Sequence, residues 1–257
     1  MTDWDAATYH RLSGPQLAWG RRVAERLSPA AGELILDLGC GTGRLTAELA
    51  ARAPGARFVG ADASHAMLAE ASRSSRGVAF VRADGAALPF RHAFDAVFSA
   101  ATFHWIGDHS ALFGAVYAAL KPGGRLLAQC GGGPNLQRLL DRTHALMESP
   151  AFERFFRHWR DPWRFAGTAE TRSLLAAAGF AGIDVSLEPA PTTLPDRDAF
   201  ASFISCVCVR HHVDTLPAAE RGLFVHALAD AAAGDDPPFT LDYWRLNMSA
   251  RKPGGAL

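Results

Sequence analysis

ELILDLGCGTGRLTAELAAR, residues 33–52, is the stretch on which the fold turns. Leu34–Leu38 is a short, nearly continuous apolar run, the pattern of a strand buried on both faces. Glycines follow at 39, 41 and 43. From Arg44 to Arg52 the apolar residues recur three and four apart, as on one face of a helix. A strand, a bend poor in side chains and a helix, in that order, open a βαβ unit.

Outward from this unit the same alternation continues. Strands are expected at Arg57–Ala61, Val78–Arg82, Phe94–Ser99 and Arg125–Cys130, with helices at Ala66–Ser74 and Ser110–Leu120 between them. Upstream, Pro15–Leu27 reads as a helix. Downstream, residues 131–170 are rich in aromatics and irregularly helical, Thr171–Ala178 is a helix stopped by Gly179, and Ile183–Glu188 is a sixth strand. Prolines 189, 191 and 195 interrupt the pattern before two more helices, Arg197–Val213 and Ala218–Ala232, and a last strand, Thr240–Ser249. One domain results, with a helical cap (1–32), a core (33–130) and helical lid segments (131–170 and 191–238).

Composition narrows the function. Twenty-six basic and 26 acidic side chains cancel, which gives no general attraction to nucleic acid or an acidic membrane. There is no basic, then apolar, start and no run near the roughly 18 apolar residues of a membrane span, so a cytoplasmic protein is expected. Cys40, Cys130, Cys206 and Cys208 form no regular framework, and reduced thiols are expected.

The glycine bend lets a ligand lie against the main chain, and the helix start beyond it offers amide donors. The nicotinamide fingerprint G-x-G-x-x-G fails here, because its third glycine falls on Arg44. About twenty residues past the bend, Asp62 ends the second strand, where a carboxylate accepts hydrogen bonds from both hydroxyls of a ribose. Its alternative role is to cap the helix beginning near Ser64.

Taken in order, DLGCGTG (37–43), GADASHAML (60–68), VRADGAALPF (81–90), FDAVFSAATFHWI (94–106) and LKPGGRLLAQ (120–129) resemble the class I S-adenosylmethionine-dependent methyltransferases. WDAATYHRLSGPQLAWG (4–20) and the FHW triplet (103–105) narrow the resemblance to the trans-aconitate methyltransferase-like group. It implies a Rossmann-like, doubly wound α/β sheet of seven strands, parallel except for an antiparallel last one. It also implies S-adenosylmethionine as cofactor and a small-molecule acceptor, with a carboxylate the first choice.

By motif position the resemblance puts Gly39, Gly41 and Gly43 along the methionine part with Asp37 near its ammonium, and Asp62 on the ribose. Met67 would cover the adenine face, and Asp84 with the Gly85 amide would read its edge. Ala63 and Ser99 complete the cofactor set. His104 is the catalytic candidate, as an orienting group or a base. Tyr9, Gln16, Trp19 and Trp105 would wall the substrate pocket. Arg164 or Arg210 would hold a second carboxylate.

Several of these have plainer readings: Met67 as core, Asp84 as a turn-former before glycine, His104 as a structural loop histidine, the aromatics as packing. Cys206, Cys208, His211 and His212 crowd together, but residues two apart on a helix face different ways, so no metal site is expected. No G-x-S-x-G elbow is present, and Asp95 and Asp108 read as capping groups rather than an acid–base pair. A non-catalytic cofactor-binding regulator, a nicotinamide oxidoreductase and an RNA methyltransferase are the alternatives, the last calling for a basic surface that the balanced composition does not advertise.

Overall fold

The computed structural model describes residues 14–75 and 77–255. Helix α1 (Gly14–Leu27) leads into β1 (Leu34–Leu38), α2 (Arg44–Arg52), β2 (Arg57–Asp62), α3 (His65–Ser74), β3 (Ala79–Arg82) and β4 (Phe94–Ala100). Then come α4 (His109–Ala119), β5 (Leu120–Gly131), α5 (Gln137–Met147), α6 (Glu153–Phe156), α7 (Thr168–Ala177) and β6 (Ala181–Pro189). The chain closes with β7 (Thr192–Thr193), α8 (Arg197–Phe203), α9 (Arg210–Thr215), α10 (Ala218–Ala232), β8 (Thr240–Leu241) and β9 (Trp244–Arg251).

Seven strands form one sheet in the order β3-β2-β1-β4-β5-β9-β6, and β9 alone runs antiparallel to its neighbours. β1 lies near the middle, pairing with β2 on one side and β4 on the other. Ile35 and Leu36 are fully buried there, as expected of a strand covered on both faces. Because the chain turns back from β3 and restarts at β4, strand order reverses between β1 and β4. That reversal opens a crevice at the strands' carboxyl ends.

Two apolar clusters pack on the two sides of the sheet: Val23, Leu27, Ile35, Leu49, Phe58 and Phe98 under α1 and α2, and Leu36, Phe94, Val97, Leu112, Phe113 and Val116 under α4. A third belongs to the helical cover, where Leu139, Leu140, Phe152, Phe200, Phe203, Ile204, Phe224 and Leu228 pack together.

Three elements differ most from the sequence reading. β5 begins at Leu120, not Arg125, because Leu120 already pairs with Phe94 and the Pro-Gly-Gly stretch forms an irregularity inside the strand. The last strand is two: β8 pairs with β7 in a separate ribbon, and β9 joins the main sheet. Asp242 and Tyr243 separate them, bonding through their carbonyls to the amides of Leu136 and Ala190. Finally, the helix expected over Arg197–Val213 is broken by a π-helical turn, Ile204–Cys208. That wider turn brings Cys208 and Val209 inside, and π-bulges of this kind cluster at functional sites.

Candidate active site

A cavity of about 900 Å³ occupies the crevice. One half is built by the loops after β1, β2 and β3, through Gly39, Gly41, Asp62, Ala63, Met67, Asp84 and Gly85. The other half is built by the loop after β4, the helical cover and the start of β9 with the link before it, through His104, Trp105, Trp163, Phe165, His211, Tyr243 and Arg245.

The glycine bend needs its glycines for different reasons. All three have positive φ. A Cβ on Gly39 would stand 2.1 Å from Thr102 Oγ1, so this position lets the β4 loop close onto the β1 loop. A Cβ on Gly43 would stand 2.8 Å from Phe80, so this position lets α2 approach β3. At Gly41 (φ +53°) nothing lies within 4 Å of the Cβ position, and the residue faces the cavity. There the missing side chain leaves room for a ligand against the main chain.

Asp62 braces the bend: its Oδ2 accepts from the Gly41 amide and its Oδ1 from the Ser64 amide, both at 2.9 Å. The cap of α3 is Ser64, whose Oγ accepts from the Met67 amide at 3.2 Å, so capping is not what Asp62 is for. A carboxylate oxygen has more than one lone pair and can accept from a hydroxyl as well as from a backbone amide. Asp84 is both turn-former and wall, since its Oδ1 accepts from the Ala86 amide while the residue lines the cavity. Met67 is 5% exposed yet also reaches the wall.

Asp37 and Ser99 lie behind the lining. Asp37 accepts from Thr46 Oγ1 at 2.6 Å, and burial, reinforced by the Asp62 charge, pushes its pKa up to about 7. Ser99 is fully buried and donates to the Leu38 carbonyl at 2.7 Å, tying β4 to β1 at the reversal.

His104 sits on the 3₁₀ turn Phe103–Trp105. The Gly131 amide donates to its Nδ1 at 3.2 Å, which assigns the ring proton to Nε2. Burial, with the Arg245 charge adding to it, holds its pKa down to about 3. A neutral imidazole with a protonated Nε2 is a hydrogen-bond donor. With Nδ1 engaged by the Gly131 amide and its pKa held low, it is a weak base at neutral pH.

The remaining pocket candidates divide. Trp105 is on the wall, in ring contact with Trp163 (5.7 Å) and His211 (5.4 Å). Trp19 is behind it, 8% exposed, with the Arg245 guanidinium 4.4 Å above its ring. Gln16 lies on α1 with its side chain outside the described structure, and Tyr9 is outside the described residues.

Arg164 and Arg210 do not reach the cavity lining. Arg164 bonds the Gly107 carbonyl and Glu170, and Arg210 pairs with Asp214 one helical turn on, at 3.3 Å. The cavity is lined instead by Arg82, from the end of β3, and by Arg245, 4% exposed on β9, and the sequence reading missed Arg245. Its one signal was a charged residue inside an apolar strand, YWRLNMS. Asp108 caps α4 through the Ala111 amide, and Asp95 accepts from the Leu34 amide and pairs with Lys121, so neither is an acid–base group.

Sheet order, glycine bend and the acid ending β2 together define a class I S-adenosylmethionine-dependent methyltransferase. Residues 35–124 match the methyltransferase domain family. The chain is 30% identical to the trans-aconitate 2-methyltransferase of Methylobacterium radiotolerans, covering 98% of this chain and 99% of that one. It is 31% identical to that of Methylobacterium nodulans with the same coverage. In fold it resembles the Bacillus YcgJ protein (TM-score 0.64, 18% identity, 93% of this chain and 99% of that one). It likewise resembles Haemonchus contortus phosphoethanolamine N-methyltransferase 2, solved with S-adenosyl-L-methionine (TM-score 0.62, 20% identity, 96% and 56%). The chain belongs to the trans-aconitate 2-methyltransferase-like group of class I methyltransferases, enzymes whose cofactor is S-adenosylmethionine.

Proposed function

We propose that this methyltransferase transfers its methyl group to a carboxylate oxygen of a small organic acid. The observation that carries the reading is Arg245, a buried guanidinium lining the acceptor half of the cavity, where its fixed positive charge suits an anionic acceptor. Two further features support it. A carboxylate is already ionised at neutral pH and needs no base, and His104 offers only a weak one. The curated relatives carry the name trans-aconitate 2-methyltransferase, an enzyme of a small polycarboxylic acid.

In this reading the cofactor half holds S-adenosylmethionine as follows. Gly39, Gly41 and Gly43, with Asp37 behind them, take the methionine part. Asp62 and Ala63 take the ribose, and Met67, Asp84 and Gly85 take the adenine. Ser99 acts from behind by fixing the β1–β4 spacing. When bound, the cofactor would supply a methyl group activated on sulfur, which passes to the acceptor oxygen as the methyl–sulfur bond breaks and the neutral thioether leaves.

The chain's own residues contribute position. Arg245 draws the acceptor's charge in, His104 Nε2–H donates to its oxygen, and Trp105 closes the side. Such alignment is worth about 7–11 kcal/mol in well-oriented reactions. Tyr9 and Gln16 belong to the acceptor wall by resemblance, Trp19 backs it beneath Arg245, and residues 131–170 and 191–238 act as the lid.

Arg245→Met tests the reading. Loss of a charged contact, about 1.5–3 kcal/mol, raises the acceptor KM roughly ten- to a hundredfold while the cofactor dissociation constant changes less than about twofold. Turnover of phenols or amines, with none on a panel of di- and tricarboxylic acids, would sink it.

A further inference from the structure

His144, Asp161 and His212 are 68 residues apart end to end in the sequence, yet one ligand atom from each lies within 4.8 Å of the others. His144 comes from α5, Asp161 from the segment after α6, and His212 from α9. They meet under the helical cover, outside the lining of the cofactor cavity.

His212 is the unexplained member. It is fully buried, with its ring stacked on Trp159 at 4.2 Å and close to Phe156, Trp163 and Phe224. Among the described residues, neither ring nitrogen has a hydrogen-bond partner. The Val209 carbonyl is the least of the influences on its charge and does not meet bonding geometry. Burial holds the ring neutral, with its pKa down to about 4. Buried polar atoms are normally satisfied, and a neutral imidazole with an unengaged lone pair is the form that binds a metal.

The other two residues are arranged as ligands. His144 Nε2 and Asp161 Oδ1 stand 3.2 Å apart. Two donors on one tetrahedral ion, with metal–ligand bonds of about 2.0–2.2 Å, are separated by about that distance. Trp159 Nε1–H donates to the same Oδ1 at 2.9 Å, an outer contact of the kind that orients a coordinating carboxylate. His144 and Asp161 are partly exposed, at 40% and 37%, so their side chains can close on an ion held by the fixed His212.

We propose that His144, Asp161 and His212 bind a divalent transition cation, zinc foremost, with water in the fourth position. Two imidazoles and a carboxylate are a borderline-soft set that suits zinc over magnesium or calcium. The site joins three separate segments of the cover. The residues directly after Asp161, Pro162 and Trp163, stand on the wall of the acceptor cavity, so the ion holds that wall in place. In the sequence His212 stands beside Cys206, Cys208 and His211, and nothing local points from it to His144 or Asp161. Cys208 instead contacts the Tyr243 hydroxyl at 3.2 Å, and burial pushes its thiol up to about 12.

The test uses the full chain, free of any affinity tag and stripped with chelator. Zinc is added back, and binding is followed by calorimetry, by metal analysis after gel filtration and by thermal melting. The expected result is one zinc per chain and a higher melting temperature. His144→Ala and Asp161→Asn each weaken binding at least tenfold, and the double variant abolishes it, with circular dichroism and cofactor affinity unchanged. Both variants sit at partly exposed positions, which keeps the test clear of the folding loss that His212→Ala risks. Cobalt added in place of zinc gives the absorption of a tetrahedral site. Absence of stoichiometric zinc in the wild type, or a double variant that binds as tightly, overturns the proposal. None of these readouts depends on the methyl acceptor.

Discussion

At the scale of single residues, the chemistry follows from where each polar atom spends its hydrogen bonds. Asp62 joins the glycine bend to the start of α3 and faces the cavity. Asp62→Ala is expected to weaken cofactor binding at least tenfold by calorimetry with the secondary structure intact, and an unchanged dissociation constant would refute the ribose role. Gly41→Ala and Gly32→Ala form a matched pair. Both glycines have positive φ and open space at Cβ, so both variants lose about 1–2 kcal/mol of stability from the left-handed backbone. Only Gly41 faces the cavity, and only its variant should also lose cofactor affinity.

The shifts of Asp37 and His104 act on stability in opposite directions. Asp37 is raised to about 7, so the folded state holds a proton that the unfolded chain releases, and stability is lost as pH climbs from about 4 to about 7. His104 is lowered to about 3, so the unfolded chain takes up the proton first, and stability is lost as pH falls below about 6.5. Denaturant titrations across that range should show Asp37→Asn removing the first slope. Because His104 stays neutral, kcat/KM should carry no titration near pH 6–7 that disappears in His104→Gln.

At the scale of elements, the reversal between β1 and β4 shapes the crevice, and Ser99 holds it. The Ser99 hydroxyl is fully buried on the Leu38 carbonyl. Ser99→Ala should cost about 1–2 kcal/mol in urea unfolding and change cofactor affinity little, the pattern of a brace rather than a contact. A loss of affinity larger than the loss of stability would return Ser99 to the binding surface. The π-helical turn does for the cover what the glycines do for the sheet. Its extra residue sets Val207 and Cys208 on the acceptor wall while Val209 and His212 remain inside.

Across the whole molecule, a sheet that binds the cofactor carries a cover with an apolar cluster of its own. Among the described residues no helix is long and apolar enough to cross a membrane. Phe224 is fully buried in the cover, in contact with Phe152 and Phe156. Phe224→Ala should therefore lose about 3–5 kcal/mol by chemical denaturation. Loss of acceptor turnover before loss of cofactor binding, as denaturant rises, would follow from the cover opening first.

The sequence by itself determined the sheet and the cofactor half, because those signals are local. An apolar run, a glycine bend and a helical period lie within twenty residues of one another, and Asp62 is placed by the length of one βαβ step. β1, α2 and α10 accordingly have the ends expected of them. Tertiary structure alone decided the acceptor half. Arg245 comes to His104 because β9 inserts antiparallel between β5 and β6, and the tautomer of His104 depends on an amide 27 residues away. His212 meets His144 and Asp161 through helix packing. Local periodicity fixes which face of a segment is buried, but not which distant segment will bury it.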